Sequence, residues 1–163
     1  MNKVSFDIAM TEKDTLDFMR YQSLHSTGGI VRIIVAIACA AFGIAFLAKV
    51  PGTSIILLLF ALVMLLHAPM TAKSRAKRQM ASPGYSDEVH FTLEDEGISI
   101  LQKGKTALLP WNLVVKVRKS QSSILIYVGK AQAIIFPVAA LGNKYDHVKS
   151  VITKKVPAKL VRL

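Results

Sequence analysis

Apolar and polar positions change period several times along the chain, and each change marks an element. Val4, Phe6 and Ile8 alternate with Ser5 and Asp7, which predicts a short strand within residues 3–9. Thr11, three residues before Asp14, opens a capped helix over 11–26 with acids in its first turn. Leu16, Met19, Tyr21 and Leu24 give that helix an apolar side suited to a membrane surface, and Ser26 to Gly29 make a bend after it. Two unbroken apolar runs follow, 30–48 and 53–72. From Asp87 the period becomes two, with strand signals around 89–93, 98–100, 106–109, 114–119, 123–128 and 133–136. Glu94 to Gly97, Gln102 to Lys105, Gln121-Ser122 and Gly129-Lys130 supply the turns between them. Leu141, Tyr145, Val148, Ile152 and Val156 recur at helical spacing, so one amphipathic helix closes the chain before Pro157.

The two apolar runs decide the class of protein. Within 30–48 the only charge is Arg32, and 53–72 holds none; as helices they reach about 28 to 31 Å, the thickness of a bilayer's hydrocarbon core. Buried helices of a soluble protein would need a surrounding core, and two helices apolar on every side leave too little chain to build one. The expectation is a transmembrane hairpin. Val50-Pro51-Gly52-Thr53 fits a type II turn at its tip, with Pro51 presetting φ and Gly52 accepting a positive φ, and Thr53 or Ser54 capping the second helix.

Four parts follow: an N-terminal strand and interfacial helix at 1–29, the hairpin at 30–72, a basic juxtamembrane linker at 73–86 and a β-rich domain with a C-terminal helix at 87–163. Short, evenly spaced strands imply an antiparallel meander curled into a small barrel or sandwich. The fold class is therefore α+β, a membrane hairpin joined to a β domain.

Charge orients the hairpin. Lys73, Arg75, Lys77 and Arg78 crowd the exit of the second run, whereas the tip carries only Lys49, so both termini should face the cytoplasm of a bacterial inner membrane. The same four cations are the expected contact for anionic lipid head groups. The net charge of +11 divides into about +6 for 87–163, +4 for 73–78 and +1 for Lys49, with the earlier residues balanced. Nucleic acid is not the expected partner, because no aromatic pair interleaves the basic residues.

Inside the hairpin, Ala36 with Ala40 and Cys39 with Gly43 are small residues four apart that let another helix approach closely, either its hairpin partner or a second copy of the chain. His67 is the candidate intramembrane polar site, because apart from Arg32 no other side chain in the runs readily holds a charge. Cys39, the single cysteine, lacks a His or acidic neighbour and reads as a packing residue. No phosphate loop, nucleophile triad or metal-ligand spacing occurs, so no catalytic residue, cofactor or metal is expected. Glu94-Asp95-Glu96 lacks the alternating ligand spacing of a calcium loop.

LPWNLVVKV (109–117), with Pro110 and Trp111, and IIFPVAAL (134–141), with Pro137, follow the strand, helix and two apolar runs. In this order the chain resembles the YcxB-like family of small bacterial membrane proteins. The resemblance implies a C-terminal domain similar to bacterial pleckstrin-homology-like folds, a small barrel capped by a helix. It departs at Val138-Ala139-Ala140-Leu141, where relatives tend to place a basic residue and an aromatic, so no polar role is carried to that loop. Trp111 itself reads as a core or edge aromatic, with a membrane-interface anchor as the alternative.

The expected function is non-enzymatic: a membrane hairpin presenting a cytoplasmic module for protein or lipid interaction. The alternative is an immunity protein whose partner is a membrane-active toxin.

Overall fold

The computed structural model describes residues 3–129 and 132–163, and for Ala68 and Pro69 the helical backbone alone. Lys130 of the Gly129-Lys130 turn therefore lies outside the described residues. Two units emerge, one formed by residues 1–18 with 78–163 and the other by 19–77.

In the first unit, runs that alternate at Val4–Ile8 and Val89–Leu93 and are continuously apolar over 124–127 build two four-stranded sheets. One contains β1 (Val4–Ile8), β2 (Val89–Leu93), β3 (Gly97–Gln102) and β4 (Lys105–Pro110), all antiparallel in that order. The other orders β7 (Ala133–Pro137), β6 (Ser123–Tyr127), β5 (Lys116–Lys119) and β8 (Val161–Arg162). Only β5 with β8 is parallel. The N-terminal strand is thus part of the β-rich unit and not of a separate domain, because pairing Val4–Ile8 with Leu93–Val89 lets Phe6 and Ile8 join the core. The two-residue strand β8 after Pro157 has no counterpart in the periodic pattern, being too short to show a period.

Both sheets share one core. Phe6, Phe91 and Phe136 meet there, Phe136 standing edge-on to the other two at ring distances of 5.0 and 5.1 Å. Fully burying a side chain of this kind stabilises by about 1.5–3 kcal/mol. The helices α4 (Val138–Leu141) and α5 (Tyr145–Lys155) add Leu141, Val148 and Ile152 to that core, with Val156 just beyond α5. The predicted closing helix is therefore present, but Leu141 sits on its own short helix. Between β3 and β4, Lys103 and Gly104 both take positive φ, 50° and 74°, as a two-residue hairpin turn needs.

The helix α1 (Glu12–His25) starts as its sequence dictates: the Thr11 hydroxyl accepts from the Asp14 backbone N–H, and the Asp14 carboxylate accepts from the Thr11 backbone N–H. The structure buries Thr15 and Phe18 instead of favouring the Leu16–Leu24 side, and Leu24 is exposed. The reason is Asp17, whose carboxylate is tied to the β5–β6 turn.

In the second unit, Ser26 ends α1 and caps α2 (Thr27–Ala45) by accepting from the Gly29 backbone N–H. A Cβ on Gly29 would run into the Ser23 carbonyl, so the corner requires glycine. The connection runs over Phe46–Val50, closed by bonds from Lys49 and Val50 N–H to the Phe46 carbonyl at 3.0 and 2.9 Å. α3 then spans Pro51–Met80. This corrects the expected turn: Pro51 occupies the first helical position, where its missing N–H is not needed, and Gly52 is helical as well. Thr53 and Ser54 lie inside the helix and do not cap it. The 73–86 linker is likewise corrected, since the helix persists to Met80 and carries the basic residues as its last turns.

Candidate functional site

Two regions carry the candidate site residues. In the hairpin, α2 and α3 meet through small residues. Ala36 and Gly43, seven apart, are buried on α2, and Ser54 and Ala61, seven apart, are buried on α3. A Cβ on Gly43 would crowd Leu58 and the Ser54 carbonyl, so Gly43 sets the closest approach. Cys39 and Ala40 are only partly buried, and the structure thereby selects Ala36 and Gly43 from the four predicted packing residues.

Most of the remaining hairpin surface is apolar and open. Only 17% of the most apolar stretch of α2 and 12% of that of α3 are buried, and Ile34, Phe42, Ile56, Leu62 and Val63 are all exposed. Both helices are long and apolar enough to cross a membrane. His67 is exposed on α3, and its carbonyl accepts from the Thr71 hydroxyl at 2.9 Å. Lys73, Arg75, Lys77 and Arg78 are exposed toward the C-terminal end of α3, and Lys77 and Arg78 lie in its last turn, where the helix dipole favours cations. Residues 19–77 contain no Asp or Glu, so the 10 acids of the chain all belong to the β-rich unit.

The motif residues are structural. Trp111 is buried; its indole N–H donates to the Glu94 carbonyl at 2.9 Å and its backbone N–H to the Glu96 carbonyl at 3.2 Å. The acidic Glu94-Asp95-Glu96 turn is therefore clamped from behind and bound in front by Lys3 to Glu94 at 3.0 Å and Lys155 to Asp95 at 2.6 Å. The hydrogen bond from Lys155 holds the Asp95 carboxyl below its usual range. Pro110 lies opposite Gly97, where a Cβ would strike the Leu109 carbonyl. Pro137 ends β7 directly after Phe136.

A cleft of about 400 Å³ opens between the sheets. Ile8 and Met10 line it from the end of β1, Phe91 and Ile100 from the floor, and Ile134 and Ile135 from β7. The segment 82–85 forms its rim, held by Gln102, whose side-chain amide donates to the Gly84 carbonyl at 2.8 Å. Burial pushes the Tyr85 phenol above its usual value, so it stays protonated. Its hydroxyl lies 3.4 Å from Thr15 Oγ1, which itself donates to the Thr11 carbonyl at 3.0 Å and sits 3.4 Å from Met80 Sδ. A cleft of this size, mostly apolar with a few polar groups, suits ligand binding.

A second cluster fixes α1. The Asp17 carboxylate accepts from the Ser120 hydroxyl and from both the hydroxyl and the backbone N–H of Ser122, at 3.0 and 3.3 Å for the latter two. The sequence pattern does not point to Asp17, Ser120, Tyr85 or the cleft. Only the turn at Gln121-Ser122 gives a signal, and its partner Asp17 lies over 100 residues away. Among the described residues no group of three or more His, Cys, Asp or Glu is placed to hold a metal ion.

The architecture thus defines a two-part protein: a cleft-bearing pair of sheets with flanking helices, and a hairpin whose two helices are apolar enough to span a membrane. Residues 93–148, from the end of β2 into the first turn of α5, match the family described as YcxB-like protein. That match contains both motifs that carry the resemblance, and the hairpin lies outside it. No curated protein and no solved structure gives a significant match to the chain.

Proposed function

We propose that the chain is a non-enzymatic protein of the bacterial inner membrane, with both termini cytoplasmic and a pleckstrin-homology-like module that binds protein or anionic lipid. The observation that carries this reading is the continuity of α3, whose exposed apolar run passes directly into four exposed cations with no acid anywhere along the helix. Lipid tails would solvate the first part and anionic head groups the second, each cation near such a surface contributing on the order of 1 kcal/mol. Two sheets and a capping helix around one core support the module's assignment by shape alone.

The test is flotation of the full chain with vesicles. Association is expected with neutral vesicles through the hairpin, and an added, salt-sensitive preference for anionic vesicles that the combined change of Lys73, Arg75, Lys77 and Arg78 to Gln removes. A chain that stays in the aqueous fraction without detergent would refute the membrane reading; an anionic preference untouched by the four substitutions would refute the role of the cations.

A further inference from the structure

We infer that the cleft between β1 and β7 receives an extended apolar peptide, added as a strand along the free edge of β7. The inference rests on the protein-binding half of the proposed function and gives it a place.

Both strands bordering the cleft are sheet edges. Their edges differ. On β7, the bonds from Val128 N–H to the Gln132 carbonyl and from Val138 N–H to the Ser122 carbonyl fix the ladder phase. Ile134 and Phe136 therefore exchange bonds with β6, and the N–H and C=O groups of Ala133 and Ile135 point away from it. Among the described residues no bond is made to those outward groups. On β1, by contrast, Lys144 Nζ donates to the Ser5 carbonyl at 2.7 Å, so a lysine already occupies that edge.

Backbone polarity chooses the occupant. An acyl chain would fill the apolar volume but leave the Ala133 and Ile135 groups unsatisfied in a dry site. A peptide strand satisfies them and also seats every second side chain among Ile8, Phe91, Ile100 and Ile134. Of the other sheet edges, β4 opens on Lys105 and contributes no residue to this cleft, and β8 is only two residues long.

The experiment selects a random heptapeptide library against the full chain in detergent micelles, then measures affinity and backbone amide exchange with the selected peptides. Selected sequences are expected to carry apolar residues at alternate positions and to slow exchange at Ala133 and Ile135. Ala133→Pro deletes one outward N–H at a position where an edge strand tolerates proline, and affinity should fall about tenfold, the effect of one lost hydrogen bond. Ser82→Trp, at the rim, should block binding without touching the strand. A library that yields no binder, binders that leave both amides unprotected, or unchanged affinity in both variants would overturn the site. So would sodium oleate filling the cleft while no peptide protects those amides. Flotation of the same preparations separates the two readings: retained flotation without peptide binding removes the strand site alone, and lost flotation with peptide binding removes the membrane reading alone.

Discussion

The β-rich unit and the hairpin are both rich in large apolar residues, and they treat them in opposite ways. In the first, Phe136, Ile98 and Ile126 are fully buried; in the second, Ile34, Ile56, Leu62 and Val63 stand open. One unit makes its own apolar solvent by packing two sheets together, and the other has the surface of a segment solvated from outside. Charge divides the same way: the β-rich unit holds every acid and pairs several with lysines, whereas the hairpin unit carries cations without acids. Burial and charge, taken together, distinguish a core from an open apolar surface where apolar content alone does not.

The sharpest break of this comparison deletes an apolar side chain from each unit. Phe136→Ala removes the ring at the centre of the aromatic cluster and should cost about 3–5 kcal/mol of β-unit stability. Leu62→Ala removes an exposed side chain and should change the stability of the purified protein by less than about 0.5 kcal/mol. Denaturant unfolding in detergent measures both, followed by Trp111 fluorescence for the β-rich unit and by the helical circular dichroism signal for the hairpin. Equal costs would mean that the hairpin surface is covered by protein after all.

How much of this division the sequence displays depends on the range of the forces involved. Alternation around Phe91, the apolar run around Ile124 and the two long runs are local signals, so strands and helices, among them two apolar enough to cross a membrane, are legible in the order of residues alone. The tip shows the limit of local rules: Pro51-Gly52 satisfies a turn pattern and a helix start equally, and the winner is set by where the chain closes on Phe46. The cleft, the free edge of β7 and the Asp17 cluster arise from segments far apart in sequence. Nothing in a single stretch announces them. The pair Ala36 and Gly43 is only half visible, because small residues mark a helix face that could approach a neighbour without saying which residues do.

A smaller effect sharpens the hairpin side of the contrast. Gly43→Val places a branched side chain where a single Cβ already crowds Leu58 and the Ser54 carbonyl. Overpacking of this kind costs about 1–3 kcal/mol and should spread α2 from α3, visible as a longer distance between spin labels at the exposed positions 37 and 62 in a Cys39→Ala background. Ala40→Ser, at a partly buried position, is the matched control and should leave that distance unchanged. A hairpin that tolerates Gly43→Val without spreading would remove Gly43 as the residue that sets the approach.

The smallest expected effect tests the charge half of the comparison, in the unit that pairs its acids. Lys155 donates to Asp95 at 2.6 Å and holds the carboxyl below its ordinary value near 3.8, so the folded state binds that proton less readily than the unfolded chain. A depressed folded value means that the pair's contribution is complete above the unfolded value and disappears as pH falls through the folded one. The window is therefore below about pH 4. Because the carboxylate is exposed, solvent screens the pair and the effect is small. Melting temperatures of the parent and of Asp95→Asn should differ slightly near neutral pH and converge in that acid window, with high salt erasing the difference throughout. A gap that instead widened on acidification would show that Asp95 gains a proton on folding, and the clamp on the β2–β3 turn would then rest on Trp111 and the Lys3–Glu94 pair.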